Sequence, residues 1–73
     1  MDIHKKDLRH YNGRNGNKAY IAHANIVYDV SHIFNNGEHM SCLAGNDLTD
    51  ILDMMPHGIE ILEKAVVVGK LVD

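Results

Sequence analysis

A chain of 73 residues with a single cysteine, Cys42, has no internal disulfide to stabilise it. In domains below about 80 residues, apolar burial and the loss of chain entropy nearly cancel. We therefore expect a cofactor, a metal ion or a partner subunit to add to the stability of the fold. The lone thiol suits a reducing compartment. The composition, with 45% hydrophobic and 23% charged residues, is typical of a globular protein. The length predicts one domain over residues 1–73.

Charge and hydropathy exclude several classes of function. Seven Lys and Arg against ten Asp and Glu give a net charge of −3, so we expect no nucleic-acid partner. No Lys or Arg occurs from Ala19 to Glu63, which makes the middle of the chain acidic. No stretch approaches the roughly 18 apolar residues of a spanning helix, and the first residues lack the apolar segment of a signal peptide. We expect a cytoplasmic protein with no membrane segment.

The first half of the chain predicts a short helix followed by a β-hairpin. Residues 2–11 indicate a helix with three inward positions, and residues 12–17 contain two Asn-Gly pairs and no apolar residue, which is typical of a loop. Residues 19–22 and 26–30 are β-prone and are separated by a turn in which Asn25 can adopt a left-handed backbone. The expected inward positions of the helix are Ile3, Leu8 and Tyr11.

The second half predicts two helices and a strand. A loop contains Asn35-Asn36-Gly37, and residues 40–44 suggest a helical turn closed by Gly45. Apolar residues then recur at helical spacing twice, on either side of Pro56, before a β-branched run at 65–68 and a short tail. The fold class is therefore α+β. The expected inward residues are Leu48, Ile51, Leu52 and Met55 in the first helix, and Ile59, Leu62 and Ala65 in the second, with Ile61 at its edge.

Two of the six histidines stand out by their positions. His39 ends a glycine-containing loop before an apolar segment, and His57 follows Pro56 at the end of an apolar helix. A heme iron held between two imidazoles needs ligands on separate segments and an apolar pocket for the macrocycle. A histidine beside an apolar helix is more often a surface or hydrogen-bonded residue, so the pattern alone leaves both interpretations open.

Motifs along almost the whole chain resemble those of one known family. The ten-residue step from Asp47 to His57 matches the spacing in that family between an Ala-Gly-x-Asp motif and an axial histidine. The other motifs follow in the family's order and are Asp7-Leu8, Tyr11-Asn12-Gly13, Ala19-Tyr20-Ile21-Ala22, Val27-Tyr28-Asp29-Val30-Ser31, Ala44-Gly45-Asn46-Asp47-Leu48-Thr49, Pro56-His57-Gly58 and Val67-Val68-Gly69-Lys70-Leu71. On these motifs the sequence resembles a cytochrome b5-type heme-binding domain in its short prokaryotic form.

The resemblance implies two axial ligands, His39 and His57. The usual His-Pro-Gly-Gly motif is absent, and His39 is the only histidine in the corresponding loop. A related branch, the membrane-associated progesterone receptor type, has a tyrosine one position later, where this chain has Met40. Met40 and then His32 are the alternatives for the first ligand.

The resemblance also implies a small mixed sheet with short helices around a heme pocket. Without a C-x-x-C-H motif the cofactor would be noncovalent heme b. Two histidine ligands leave iron without an open position, so we expect a one-electron carrier and not an enzyme. We expect each ring N–H to donate to a backbone carbonyl. The implied pocket walls are Val30, Ile33, Leu52 and Met55, and the residue pattern itself adds Leu43, Ile59 and Leu62.

Partners and alternatives follow from the same residues. The acidic middle of the chain would steer a redox partner with a basic docking surface, and we expect a monomer. The alternatives are a heme- or steroid-type module with a single axial ligand and a heme-free interaction domain. One cysteine makes a poor zinc site, so Cys42 is interpreted as a buried filler, and His4, His10 and His23 are expected in solvent.

Overall fold

The fold is built from six short strands and three short helices, and the computed structural model describes all residues, 1–73. This arrangement confirms the α+β class and the small mixed sheet with short helices. No helix is long and apolar enough to cross a membrane. In chain order the elements are β1 (Asp2–His4), α1 (Lys5–Leu8), β2 (Tyr20–His23), β3 (Ile26–Asp29), β4 (Glu38–His39), β5 (Cys42–Leu43), α2 (Thr49–Met54), α3 (Gly58–Lys64) and β6 (Val66–Val72).

A four-stranded sheet in the order β1-β6-β3-β2 forms one side of the molecule. β3 pairs antiparallel with both β2 and β6, whereas β1 pairs parallel with β6. The hairpin predicted from residues 19–30 is confirmed as β2 and β3. Its turn places both Ala24 and Asn25 at positive φ, 49° and 65°, which suits the right-handed twist of a tight hairpin.

The amino-terminal helix is shorter than predicted. Residues 2–4 form β1 instead, because the edge of β6 offers backbone partners, with Ile3 opposite Leu71. The inward positions are confirmed for Ile3 and Leu8, which are buried, and half-buried Tyr11 stacks on Tyr20 with ring centroids 4.4 Å apart. Tertiary pairing thus overrides local helical spacing at this end.

The helical turn predicted at residues 40–44 is wrong. Strands β4 and β5 form a small hairpin there, in which His39 pairs with Cys42. Met40 and Ser41 connect the strands with φ values of 48° and 73°. Methionine and serine seldom adopt this left-handed backbone, so their identity gave no turn signal. The preceding Asn36-Gly37 turn is where the sequence places it, with φ values of 53° and 78°.

The core consists of two apolar clusters, one on each face of the β2–β3 hairpin. The first lies between the sheet and α1 and contains Ile3, Leu8, Tyr20, Ala22, Val27 and Leu71. The second joins the hairpin to α2, α3 and the small β4–β5 hairpin. Its buried members are Ala19, Ile21, Val30, Phe34, Cys42, Ala44, Leu48, Leu52 and Ile61.

Both α2 and α3 turn a narrower face to the core than their spacing predicts. In α2, Ile51 is half exposed, although Leu48 and Leu52 are buried as expected. In α3 and just after it, Leu62 and Ala65 pack partly buried against the core as predicted, but Ile61, expected at the edge, is buried and Ile59 is 44% exposed. The sequence of α3 contains two sets of residues at helical spacing that could face the core. The set that begins with Gly58 packs more closely, because glycine has no side chain.

His23 is not in open solvent as expected. Its side chain is 15% exposed, and its Nε2 atom lies 2.8 Å from a carboxylate oxygen of Asp53. This contact connects the end of β2 to α2. His4 and His10 are exposed, and Cys42 is buried, as predicted.

Candidate functional site

A cavity of about 290 Å³ opens between the β4–β5 hairpin, the end of α2 and the exposed side of α3. Its volume is just below the range of about 300–1,000 Å³ that is usual for ligand pockets. Apolar side chains form its inner wall, and polar groups occur on the α3 side. The residues that line it are Ile33, His39, Met40, Met55, Pro56, His57, Glu60, Ile61 and Lys64.

His39 reaches the cavity from the end of β4. Its ring stacks on buried Phe34 at a centroid distance of 5.5 Å and an interplanar angle of 26°. Neither ring nitrogen has a hydrogen-bond partner. The stacking restricts the plane of the imidazole while both nitrogens stay available to a ligand.

His57 reaches the same cavity from the start of α3. Pro56 ends α2, and His57 then takes a left-handed backbone, φ 71°, as the residue that precedes α3. Its Nδ1 atom lies 3.2 Å from Oε1 of Glu60, while Nε2 has no partner. The expected backbone-carbonyl partner is therefore replaced by a carboxylate, and one ring nitrogen is free for a ligand.

Gly58 allows α3 to begin directly against α2. A Cβ atom at this position would collide with the backbone carbonyl of Leu52, so any other residue would push the two helices apart. The buried glycine therefore allows α2 and α3, which carry the cavity wall at Met55 and Ile61, to pack closely.

The structure brings four of the predicted site residues to the cavity surface: His39, His57, Ile33 and Met55. The other predicted wall residues lie elsewhere. Val30 and Leu52 are fully buried in the adjoining core, and Leu62 packs against it half-buried. Leu43 and Ile59 are 45% and 44% exposed and do not line the cavity.

Of the alternative ligands, Met40 lines the cavity and His32 does not. The His32 ring instead lies 2.9 Å from the carbonyl oxygen of Lys64. Sequence reasoning missed Glu60 and Lys64, although both follow His57 at helical spacing, three and seven residues later. That spacing is the signal that could have found them.

Cys42 lies behind the cavity wall and is not a surface thiol. Its sulfur is 3.6 Å from the sulfur of Met55, and burial raises the pKa of the thiol. No three His, Cys, Asp or Glu side chains are grouped so that they could hold a metal ion. The imidazoles of His39 and His57 both line the cavity, and imidazole is the commonest side-chain ligand of metals.

Comparison with known proteins decides the family. A family profile described as Cytochrome b5-like Heme/Steroid binding domain matches residues 4–72. This chain belongs to that family. The resemblance found in the sequence motifs is thereby confirmed, and so is the cytochrome b5-like fold.

Two solved structures of cytochrome b5-like proteins from archaea are similar over nearly the whole chain. A cytochrome b5 domain protein from Hadesarchaea YNP_N21 is 41% identical with a TM-score of 0.88, covering 99% of both chains. A cytochrome b5 domain protein from Methanococcoides burtonii is 35% identical with a TM-score of 0.89, covering 99% of this chain and 97% of its own. The comparison with curated proteins finds no match.

Proposed function

We propose that this cytochrome b5-like domain binds one noncovalent heme b through His39 and His57 and carries single electrons, without catalysing a reaction of its own. The observation that carries this proposal is that both imidazoles, presented by separate elements, line one cavity with an apolar wall. Heme bound between two imidazoles supplies a ferric/ferrous couple with no vacant coordination position.

The side chains around the cavity have distinct roles in this proposal. His39 and His57 act as neutral imidazoles, each with an unprotonated nitrogen for the metal. Ile33, Met55 and Ile61 exclude water from the inner wall. Lys64 places a positive charge at the rim, where it would favour the carboxylates of an amphipathic ligand.

The rim of the cavity offers a route for electrons to a partner. Met40 is 74% exposed and Pro56 and His57 are exposed, so an edge of the bound ligand would lie close to solvent. Exposed carboxylates occur on the elements around the cavity and would attract a basic redox partner to a monomeric domain. They are Glu38, Asp50, Asp53, Glu60 and Glu63.

Alanine substitutions test the ligand pair. His39→Ala and His57→Ala should each abolish the six-coordinate low-spin absorption spectrum of the hemin-loaded protein. His10→Ala is the matched control, since His10 is exposed and does not line the cavity. Retention of the low-spin spectrum in either cavity variant would contradict that ligand assignment. Loss in Met40→Ala with retention in His39→Ala would assign the first ligand to Met40.

Carbon monoxide separates the electron carrier from a module with one axial ligand. Two strong ligands leave no open position, so the reduced wild-type protein should resist carbon monoxide. His57→Ala, which opens one position, should bind it readily and serves as the positive control. Rapid binding by the wild type would contradict the bis-histidine proposal.

A further inference from the structure

Glu60 is the charged side chain in direct contact with one of the two imidazoles at the cavity. The backbone amide of Glu60 donates to the carbonyl oxygen of His57 at 3.2 Å, which closes the first turn of α3. The same turn holds the Glu60 carboxylate 3.2 Å from Nδ1 of His57. The helix start therefore brings the two side chains together on the surface, where those of His57 and Glu60 are 82% and 61% exposed.

This contact selects one tautomer of His57. A carboxylate only accepts hydrogen bonds, so the 3.2 Å contact is a hydrogen bond when Nδ1 carries the proton. In the neutral ring, Nε2 then carries the lone pair, and it is the nitrogen that has no partner in the structure. His39 has no such arrangement, because it is held by stacking on Phe34 and neither of its nitrogens is hydrogen-bonded.

We propose that Glu60 is a positioning residue that holds His57 in the Nδ1–H tautomer and thereby makes Nε2 a stronger donor to a metal in the cavity. A carboxylate that accepts the second N–H of a ligating imidazole fixes the ring and raises its basicity. An imidazole that is made more basic by a hydrogen-bonded carboxylate binds ferric iron, which has the higher charge, more strongly than ferrous iron. The effect on iron rests on the proposed function, but the effect on the tautomer does not.

The tautomer is measured in the heme-free protein by nitrogen-15 NMR of labelled histidine at a pH where the ring is neutral. The wild-type protein should show His57 with the proton on Nδ1. Glu60→Ala should move the ratio of tautomers toward that of free histidine by about threefold, the size expected for an exposed charged contact. Glu60→Gln should keep most of the wild-type ratio, because its amide oxygen still accepts from Nδ1.

Glu63→Ala is the matched control for these variants. Glu63 is exposed on the same helix, and its substitution removes the same charge. Glu63 neither lines the cavity nor contacts His57. It should leave the His57 tautomer unchanged. A wild-type ring protonated on Nε2, or equal effects of Glu60→Ala and Glu63→Ala, would overturn the proposal.

The second measurement is the reduction potential of the hemin-loaded variants. Glu60→Ala and Glu60→Gln should lower the ratio of ferric to ferrous binding constants about threefold, which is a rise of about 28 mV at 59 mV per tenfold change. Glu63→Ala should change it much less. An equal rise in the reduction potential of all three variants would show that Glu60 acts only as one of several surface charges. That result would contradict its role toward His57.

The two measurements separate the inference from the proposed function. If the wild type binds no hemin, heme binding at this cavity is wrong, while the nitrogen spectra still decide whether Glu60 orients His57. If hemin binds with a low-spin spectrum and the tautomer is independent of Glu60, the proposed function stands and the inference is overturned.

Discussion

Asp29 joins the end of β3 to the segment that leads to the cavity. Its carboxylate accepts the backbone N–H of Ser31 at 2.9 Å, and the Ser31 hydroxyl accepts the N–H of Ala19 at 2.9 Å. Burial alone would raise the pKa of Asp29, but the hydroxyl and amide of Ser31 and the charges of Lys18 and His32 outweigh it. The net pKa is lower than the ordinary value of 3.8.

Asp29→Asn should therefore destabilise the protein most at neutral pH. A carboxyl whose pKa is lowered by folding contributes stability above its ordinary pKa and loses that contribution as the pH falls through the folded value. We expect a loss of about 1 kcal/mol in the free energy of unfolding at pH 7. The difference from wild type should shrink on acidification below about pH 4.

Urea denaturation at several pH values measures this effect. Asp2→Asn is the control, because Asp2 is an exposed carboxylate with no hydrogen bond in the structure. It should change the free energy of unfolding little at any pH. A constant difference between Asp29→Asn and wild type across the acidic range would show that the carboxylate charge is not what stabilises this joint.

At the scale of elements, Gly58 sets how closely α3 packs against α2. Gly58→Ala should cost about 1–3 kcal/mol, because its Cβ would overlap the Leu52 carbonyl and the helices would have to shift. The shift would widen the cavity between Met55 and Ile61, so hemin affinity should fall as well. Denaturation and hemin titration measure the two effects.

Glu63→Ala serves here as the control, since it places alanine at an exposed position of the same helix. It should leave both stability and affinity close to wild type. Wild-type affinity in a destabilised Gly58→Ala protein would show that the helix spacing does not shape the ligand site.

The two apolar clusters should respond differently to removal of heme. A ligand bound only by the folded state adds stability, about 4.1 kcal/mol at a concentration one thousand times its Kd. The cavity lies in the cluster that involves α2, α3 and the β4–β5 hairpin. In the heme-free protein, amides of residues 31–65 should therefore exchange much faster than those of β2, β3 and β6.

Hydrogen exchange of the heme-free and heme-loaded protein, compared residue by residue, tests this expectation. Binding should protect residues 31–65 selectively, while the sheet changes little. Uniform exchange over both regions without heme would contradict it and would mean that the protein unfolds as one unit.

Sequence patterns predicted the elements held by local signals and missed those set by tertiary contacts. The β2–β3 hairpin and the break at Pro56 follow from residue types, and the structure has both. β1 requires the edge of β6, which lies almost 70 residues away in the chain, so no local window contains its signal. In α3 the inward face depends on a buried glycine, which adds nothing to a hydrophobic pattern.

The candidate site was predictable in part for the same reason. Family motifs pointed to His39 and His57, and the structure places both at one cavity. Leu43 and Ile59 carried the expected hydrophobicity but face away, because the β4–β5 turn and the register of α3 decide their direction. Polar rim residues such as Glu60 have no hydrophobic signal, and only their helical spacing from His57 pointed to the cavity.

At the scale of the whole molecule, the acidic surface predicts a salt-dependent encounter with a basic partner. Electrostatic steering raises association rates at low ionic strength and is screened as salt increases. Electron transfer from the reduced heme-loaded domain to a small basic heme protein should slow markedly as salt increases. Stopped-flow absorption measures the rate, with ferricyanide, an anionic acceptor, as the control.

The anionic acceptor should show the opposite trend, since salt screens its repulsion by the acidic surface. Equal salt responses for the two acceptors, or a rate to the basic acceptor that salt does not change, would contradict steering by this surface. The proposed heme site itself would be unaffected by that result.

The central claim is tested most directly by an absorption titration of the purified protein with hemin, recorded in the oxidised state and again after reduction with dithionite. We predict saturation at one hemin per chain and a six-coordinate low-spin spectrum in both states, because His39 and His57 line the same cavity. A high-spin spectrum at saturation would contradict the pair of histidine ligands, and the absence of saturable binding would contradict heme binding altogether.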